Sequence, residues 1–201
     1  MNSDGGLAMT PVSFFQRYTM ANVRLSANFS SNEFGKDLND YQIALLKILA
    51  TNLQIVRDRL NSLDVKKVKT KDVTVSISSG VRTKADYERL KANGYNPSTT
   101  SDHFCGWAIN APKPTLGAVD VTFGNCKLST LEIFKLIVAM NKAGETDFGQ
   151  VIYEVSAKGN PWIHLSNNPT AIYVPAIAKA VTRNQYMIST DNGKTYKVYN
   201  G

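Results

Sequence analysis

The sequence feature that most constrains this chain is the placement of its two histidines, since its 201 residues contain no others. His103 lies in a stretch that runs from Ser101 through a proline-bearing loop to Asp120. His164 lies in the short apolar run Pro-Trp-Ile-His-Leu-Ser, which has strand character. Two isolated histidines are more often structural residues than ligands, so a site is indicated only if the surrounding residues support it.

Ligand chemistry connects the two histidines with Asp120. A catalytic zinc site commonly has three protein ligands, often His with a carboxylate, and an open fourth position. His103, Asp120 and His164 would supply that set. Glu154, on an alternating strand-like segment just before His164, is the candidate general base, because hydrolysis needs a carboxylate that is not a ligand. Cys105 is a minor candidate ligand, since no second cysteine pair accompanies it.

Taken in order, these motifs resemble the zinc D-Ala-D-Ala peptidases, and most closely the branch found in phages and their bacterial hosts. The likeness covers roughly residues 24 to 167, and an ordered set is more specific than any single motif. The segments that carry it are Leu25–Phe34, Ser78–Arg82, Ser101–Ala108, Ala118–Asp120, Gln150–Glu154 and Trp162–His164. The fold of this family is similar to that of the hedgehog signalling domain.

The resemblance implies an α+β fold, in which a small antiparallel sheet carries the zinc site and packs against two main helices. This domain would span residues 24–167, after an N-terminal arm at 1–23 and before a C-terminal extension at 168–201. The extension should contain a hairpin, because Asp-Asn-Gly at 191–193 is a strong turn signal. That hairpin would either extend the sheet or serve as an attachment edge.

The pattern of residues also predicts particular elements. Apolar residues at helical spacing from Tyr41 to Leu60 predict the first long helix. Ser129-Thr-Leu-Glu132 resembles a capping box and should open the second. Ser31 and Asn32 are expected to cap a short helix near Glu33, ahead of the first long one.

Roles for individual residues follow from the resemblance. The three ligands named above would hold Zn²⁺, and Glu154 would act as the general base. Arg82, just after a predicted strand, would receive the terminal carboxylate of the substrate, for which a planar guanidinium is well suited. Ser101 would hydrogen-bond the substrate backbone.

The ligand set departs from the family at one position. The place of the family's carboxylate ligand corresponds to Asn110, and an amide is a much poorer metal ligand than a carboxylate. Either the loop at 110–117 is an insertion that moves the ligand to Asp120, or the site has lost a carboxylate. Insertion is favoured, because the segment from Gly117 to Phe123 restores the small and β-branched residues expected around the ligand.

The function implied by the resemblance is a zinc-dependent metallopeptidase that hydrolyses bacterial peptidoglycan peptides. It would be a D-Ala-D-Ala carboxypeptidase or a cell-wall endopeptidase, encoded by a bacteriophage for lysis or carried in the virion. The alternative is a catalytically weak or inactive structural or binding component of a phage virion on the same fold. Virion or tail proteins would then be partners through the N-terminal arm or the C-terminal hairpin.

Composition limits the other classes of function that the chain could have. The chain carries 23 Lys and Arg against 16 Asp and Glu, a net charge of +7, without the arginine-rich run or aromatic pattern of a nucleic-acid binder. No apolar stretch is long enough for a membrane span, and the start lacks the features of a signal peptide. We therefore expect no nucleic-acid partner, and a site of action at the bacterial cell wall that is reached without an export signal.

Overall fold

The structure, a computed structural model, describes residues 22–64, 68–106, 109, 115–169 and 183–201. Within these residues it contains four α-helices and a six-stranded sheet. The helices are α1 (Ser31–Phe34), α2 (Asp40–Ser62), α3 (Lys84–Ala92) and α4 (Thr130–Lys142), and a short 3-10 helix spans Asp102–Phe104. The strands are β1 (Lys69–Ser79), β2 (Ala118–Cys126), β3 (Phe148–Val155), β4 (Pro161–Asn167), β5 (Gln185–Ser189) and β6 (Lys197–Val198).

The two long helices begin where side chains satisfy their first N–H groups. The side chain of Asn39 accepts from the N–H of Gln42 at the start of α2. Ser129 and Glu132 form the predicted capping box at the start of α4. Helix α1 begins slightly earlier than predicted, because Ser30 rather than Ser31 or Asn32 is its N-cap. Local capping chemistry therefore fixes the helix boundaries.

The mixed α+β architecture is confirmed, but the expectation of an antiparallel sheet is wrong for one strand pair. The strand order is β1-β2-β4-β3-β5-β6, and every pairing is antiparallel except that of β3 with β5. Asn167, at the end of β4, lies opposite Phe148, at the start of β3. The next strand enters from this same end of the sheet, so β5 runs parallel to β3 when it pairs along its free edge.

The sheet has one face against the core and one face that is open. Helices α2 and α4 pack on the core face, which carries alternate residues of the central strands. The core side chains from these strands include Val119, Val121, Val151, Ile163 and Leu165. The intervening residues project from the opposite face, and Asp120 lies directly across from His164 in the register of β2 and β4.

The C-terminal hairpin extends the sheet, which is the first of the two alternatives that the sequence left open. Strands β5 and β6 pair antiparallel around the predicted turn, and β5 adds to β3. The N-terminal arm falls outside the described residues except for its last two positions, and Asn110 also lies outside them. None of the described helices combines the length and the apolarity needed to span a membrane.

Candidate metal centre

Three buried side chains meet on the open face of the sheet. Nε2 of His103 lies 3.2 Å from Oδ1 of Asp120 and 3.1 Å from Nδ1 of His164, and the last two atoms are 3.0 Å apart. In the part of the chain that the structure describes, this is the one group of His, Cys, Asp or Glu side chains close enough together to hold a metal ion. The three residues predicted as ligands are therefore brought together.

The spacing of these atoms fits a small tetrahedral cation. Bonds of about 2.0–2.1 Å from zinc to nitrogen and oxygen place neighbouring tetrahedral ligands about 3.3 Å apart. The three observed separations of 3.0–3.2 Å are close to that value. Two imidazole nitrogens and one carboxylate oxygen are also a donor set that zinc accepts. Both the chemistry and the distances of the donors thus fit a metal ion of this kind.

The backbone of Gly80 selects the tautomer of His103. Nδ1 of His103 lies 2.8 Å from the carbonyl oxygen of Gly80. A carbonyl can only accept, so Nδ1 carries the proton and Nε2 of the neutral ring presents its lone pair to Asp120 and His164. Metal-binding histidines commonly make this kind of outer hydrogen bond, which fixes both the ring and its tautomer.

The contact with His103 requires glycine at position 80, because the chain approaches α1 closely there. A Cβ atom on Gly80 would lie 2.0 Å from the carbonyl oxygen of Phe34. The N–H of Val81 donates to that same oxygen at 2.6 Å. The chain at the end of β1 is therefore held against the end of α1. This contact fixes the position of the Gly80 carbonyl, which accepts the hydrogen bond from His103.

Asp120 is fixed through its second oxygen. Nη2 of Arg82 donates to Oδ2 of Asp120 at 2.7 Å, and Nε of Arg82 donates to the hydroxyl of Ser79 at 3.0 Å. The backbone N–H of Arg82 also donates to the carbonyl of His103 at 2.8 Å. Arg82 was predicted to bind a substrate carboxylate. In the structure it already pairs with a candidate metal ligand and leaves Oδ1 of that ligand facing the two histidines.

Burial and the neighbouring charges shift the pKa values of the three groups in different directions. Burial lowers the pKa of His103, and the charge of Asp120 only partly opposes this effect. Burial also acts against the charged form of His164, but the hydrogen bond and charge of Asp120, with the charge of Glu154, raise the pKa of His164 above its ordinary value. Burial likewise opposes ionisation of Asp120, yet the two histidines hold its pKa well below the usual range. Binding of a cation between these atoms would therefore compete with protonation of His164.

Glu154 lies on the same face of the sheet but is not part of the ligand cluster. It is almost completely buried, and each of its oxygens accepts one hydrogen bond. Oε1 accepts from the hydroxyl of Tyr196 at 2.8 Å, and Oε2 accepts from Nε1 of Trp162 at 2.8 Å. Trp162 is two residues before His164 on β4, so the candidate base and the candidate ligand are near neighbours.

Ser101 and its neighbours shape the segment that carries His103. The hydroxyl of Ser101 caps the 3-10 helix and accepts from the N–H of His103 at 3.4 Å. The buried carboxylate of Asp102 accepts from the N–H of Leu116 at 3.1 Å and pairs with the guanidinium of Arg183. This ion pair ties the start of the 3-10 helix to the residue that leads into β5.

An open cleft of about 1230 Å³ runs across this face of the sheet. All six site residues predicted from the sequence line it: Arg82, Ser101, His103, Asp120, Glu154 and His164. Arg183 and Tyr196 line it as well, and both belong to the extension that was placed outside the resemblance. The turn signal before Tyr196 predicted a hairpin, but nothing in the sequence indicated that the hairpin would border this cleft.

Comparisons with protein-family models, with curated proteins and with solved structures find no match to this chain.

Proposed function

We propose that this protein is a zinc-dependent peptidase that hydrolyses the peptides of bacterial peptidoglycan. The observation that best supports this function is the ligand cluster itself. Three donor atoms converge within 3.2 Å of one another in an open cleft, which also contains a buried carboxylate that is not a ligand. Zinc hydrolases need this combination of an accessible metal position and a separate base.

His103, Asp120 and His164 would hold the zinc ion. When bound, zinc supplies Lewis acidity, which polarises a carbonyl group and makes a water molecule acidic enough to attack near neutral pH. The residues of the chain prepare for this chemistry. Gly80 keeps the lone pair of His103 directed into the cluster, and Arg82 keeps one oxygen of Asp120 free to bind.

Glu154 would serve as the general base. It is held on the wall of the cleft by two neutral donors, Tyr196 and Trp162, rather than by a cation. A carboxylate that is not neutralised by a salt bridge can accept a proton from the attacking water and deliver it to the leaving amine.

Arg82 and Ser101 would contact the substrate. Within the described residues Nη1 of Arg82 makes no hydrogen bond, so it can donate to an anionic group in the cleft while Nη2 stays on Asp120. If that group is the terminal carboxylate of a peptide, the enzyme is a carboxypeptidase. If the peptide continues past Arg82, it is an endopeptidase that cuts within the cross-linked wall. Either activity would serve a phage that lyses its host or enters it through the cell wall.

The experiment that tests this function is digestion of purified peptidoglycan sacculi. Wild-type protein should release peptides, lose this activity after chelation of the metal, and regain it when zinc is returned. Glu154→Gln should reduce the rate by about 10²-fold to 10⁴-fold, the usual contribution of a general base. Glu145→Gln is the matched control, because Glu145 is exposed and lies just beyond α4, the helix on the opposite face of the sheet.

The alternative function has a distinct outcome in the same experiment. A structural or binding component of a phage virion would bind metal through the same cluster, and chelation would destabilise it. It would release no peptides from sacculi, and Glu154→Gln would change nothing. That result would overturn the peptidase proposal.

A further inference from the structure

Tyr196 reaches the candidate base from outside the region that the family resemblance covers. It lies between β5 and β6, and its hydroxyl is 2.8 Å from Oε1 of Glu154. Trp162, from the adjacent strand β4, holds Oε2 at the same distance. The carboxylate of Glu154 therefore accepts hydrogen bonds from two donors that lie in separate segments of the chain.

The turn that leads to Tyr196 is stabilised by hydrogen bonds among its own residues. Oδ1 of Asp191 accepts from the N–H groups of Lys194 and Thr195 at 3.1 and 2.9 Å and from the hydroxyl of Ser189 at 3.0 Å. The hydrogen bonds from Thr195 lower the pKa of Asp191 to about 2, so the carboxylate stays ionised and keeps these donors. The hydroxyl of Thr195 also donates to Oδ2 of Asp191, so four donors in one turn define the position of the next residue, which is Tyr196.

We infer that Tyr196 is a positioning residue, which together with Trp162 holds the carboxylate of Glu154 in a single orientation in the cleft. The inference rests on the proposed function, in which Glu154 accepts a proton. A carboxylate that is held at only one oxygen can rotate about its terminal bond, whereas one held at both oxygens cannot. The C-terminal hairpin would then be a working part of the active site rather than an appendage.

The hydroxyl of Tyr196 is suited to this task because it keeps its proton. Tyr196 is 48% exposed, but its hydroxyl lies against Glu154, and partial burial together with the negative charge of Glu154 raises the pKa of Tyr196 above its usual range. The group therefore remains a hydrogen-bond donor over the whole pH range in which a hydrolase would operate. It donates to the carboxylate as a neutral group and places no positive charge beside it.

The first test is the substitution Tyr196→Phe, which removes the hydroxyl and keeps the ring. With purified sacculi, we expect the rate at saturating substrate to fall about tenfold to a hundredfold, the effect of losing one hydrogen bond to a charged group. The sacculus concentration at half-maximal rate should change by less than about twofold, because positioning acts on turnover more than on binding. Cobalt titration should show an unchanged metal affinity.

Tyr199→Phe is the matched control, since it makes the same chemical change in the same hairpin. The ring of Tyr199 packs against Phe134 of α4, with centroids 5.1 Å apart, on the core face of the sheet. This variant should keep the wild-type rate. If Tyr196→Phe also kept the wild-type rate, or if it lost metal affinity in parallel with activity, the positioning role would be refuted.

A second measurement needs no activity and separates this inference from the proposed function. Thermal unfolding is compared for the wild type, Tyr196→Phe, Glu154→Ala and the double variant. If Tyr196 holds Glu154, loss of the hydroxyl lowers the unfolding midpoint in the wild-type background and has little effect when Glu154 is already absent. Equal shifts in both backgrounds would overturn the inference. If the substitutions at Tyr196 and Glu154 are coupled in stability but the wild type digests no sacculi, the inference stands and only the peptidase function is rejected.

Discussion

Replacement of Gly80 by alanine tests how the fold supports the candidate metal centre. The backbone of Gly80 is not in the left-handed region, so alanine meets no conformational penalty there. In such a position this substitution ordinarily stabilises a protein by about 0.4–1 kcal/mol, because it restricts the unfolded chain. The structure predicts the opposite sign, since the new Cβ would lie 2.0 Å from the carbonyl oxygen of Phe34.

The expected loss in free energy of unfolding follows from the displacement of the backbone at Gly80. The end of β1 has to shift by about 1.5 Å to reach an ordinary van der Waals distance from Phe34. Such overpacking costs about 1–3 kcal/mol. The shift also weakens the hydrogen bond from Val81 to Phe34 and that from His103 to Gly80, each worth about 0.5–1.5 kcal/mol. We expect the free energy of unfolding to fall by about 2–5 kcal/mol.

Urea denaturation measures the loss of stability, and cobalt titration measures the effect on the site. The outer hydrogen bond of a metal-binding histidine is typically worth about tenfold to a hundredfold in metal affinity, so Gly80→Ala should weaken cobalt binding by that factor. Gly94→Ala is the control, because no atom lies within 4 Å of the added Cβ and its cost arises from a φ of 79° alone. A Gly80→Ala protein as stable as the wild type, with unchanged cobalt affinity, would refute this reasoning.

Three further outcomes follow from the buried ionisable side chains. Metal affinity should increase between about pH 6 and about pH 8, because the raised pKa of His164 means that a proton must leave before the ring can bind, and cobalt titration at the two pH values checks this. Burial raises the pKa of the Cys105 thiol far above its usual range, so Cys105 should resist alkylation in the native protein and react once urea unfolds it. Asp102→Asn should lower the free energy of unfolding by about 2 kcal/mol in urea denaturation, because it removes the charge that pairs with Arg183, and an unchanged value would show that this ion pair contributes nothing.

The parts of the fold that the sequence predicted correctly are those that local chemistry determines. Helix α2 has an apolar stripe at helical spacing, and α4 has the capping box of Ser129 and Glu132. The segments that contain Glu154 and His164 have strand character in the sequence, and they form β3 and β4. Each of these signals lies within about twenty residues of chain, a separation over which periodicity and turn residues dominate.

The parts that the sequence could not supply depend on contacts between distant segments. The parallel pairing of β5 with β3 brings together segments more than 30 residues apart, a separation that local sequence patterns do not cover. The contact of Tyr196 with Glu154 spans 42 positions and follows from that pairing. Arg82 lines the cleft, but its ion pair with Asp120 could be seen only once β1 and β2 were side by side.

The most direct test of the central claim is the zinc content of the purified protein, measured by elemental analysis after zinc has been supplied and excess removed. The structure predicts about one zinc per chain, the occupancy of a single three-ligand site. Asp120→Ala should bind essentially none, and Asn110→Ala should retain the full amount. Absence of zinc from the wild type, or its retention in Asp120→Ala, would contradict a metal centre built from His103, Asp120 and His164.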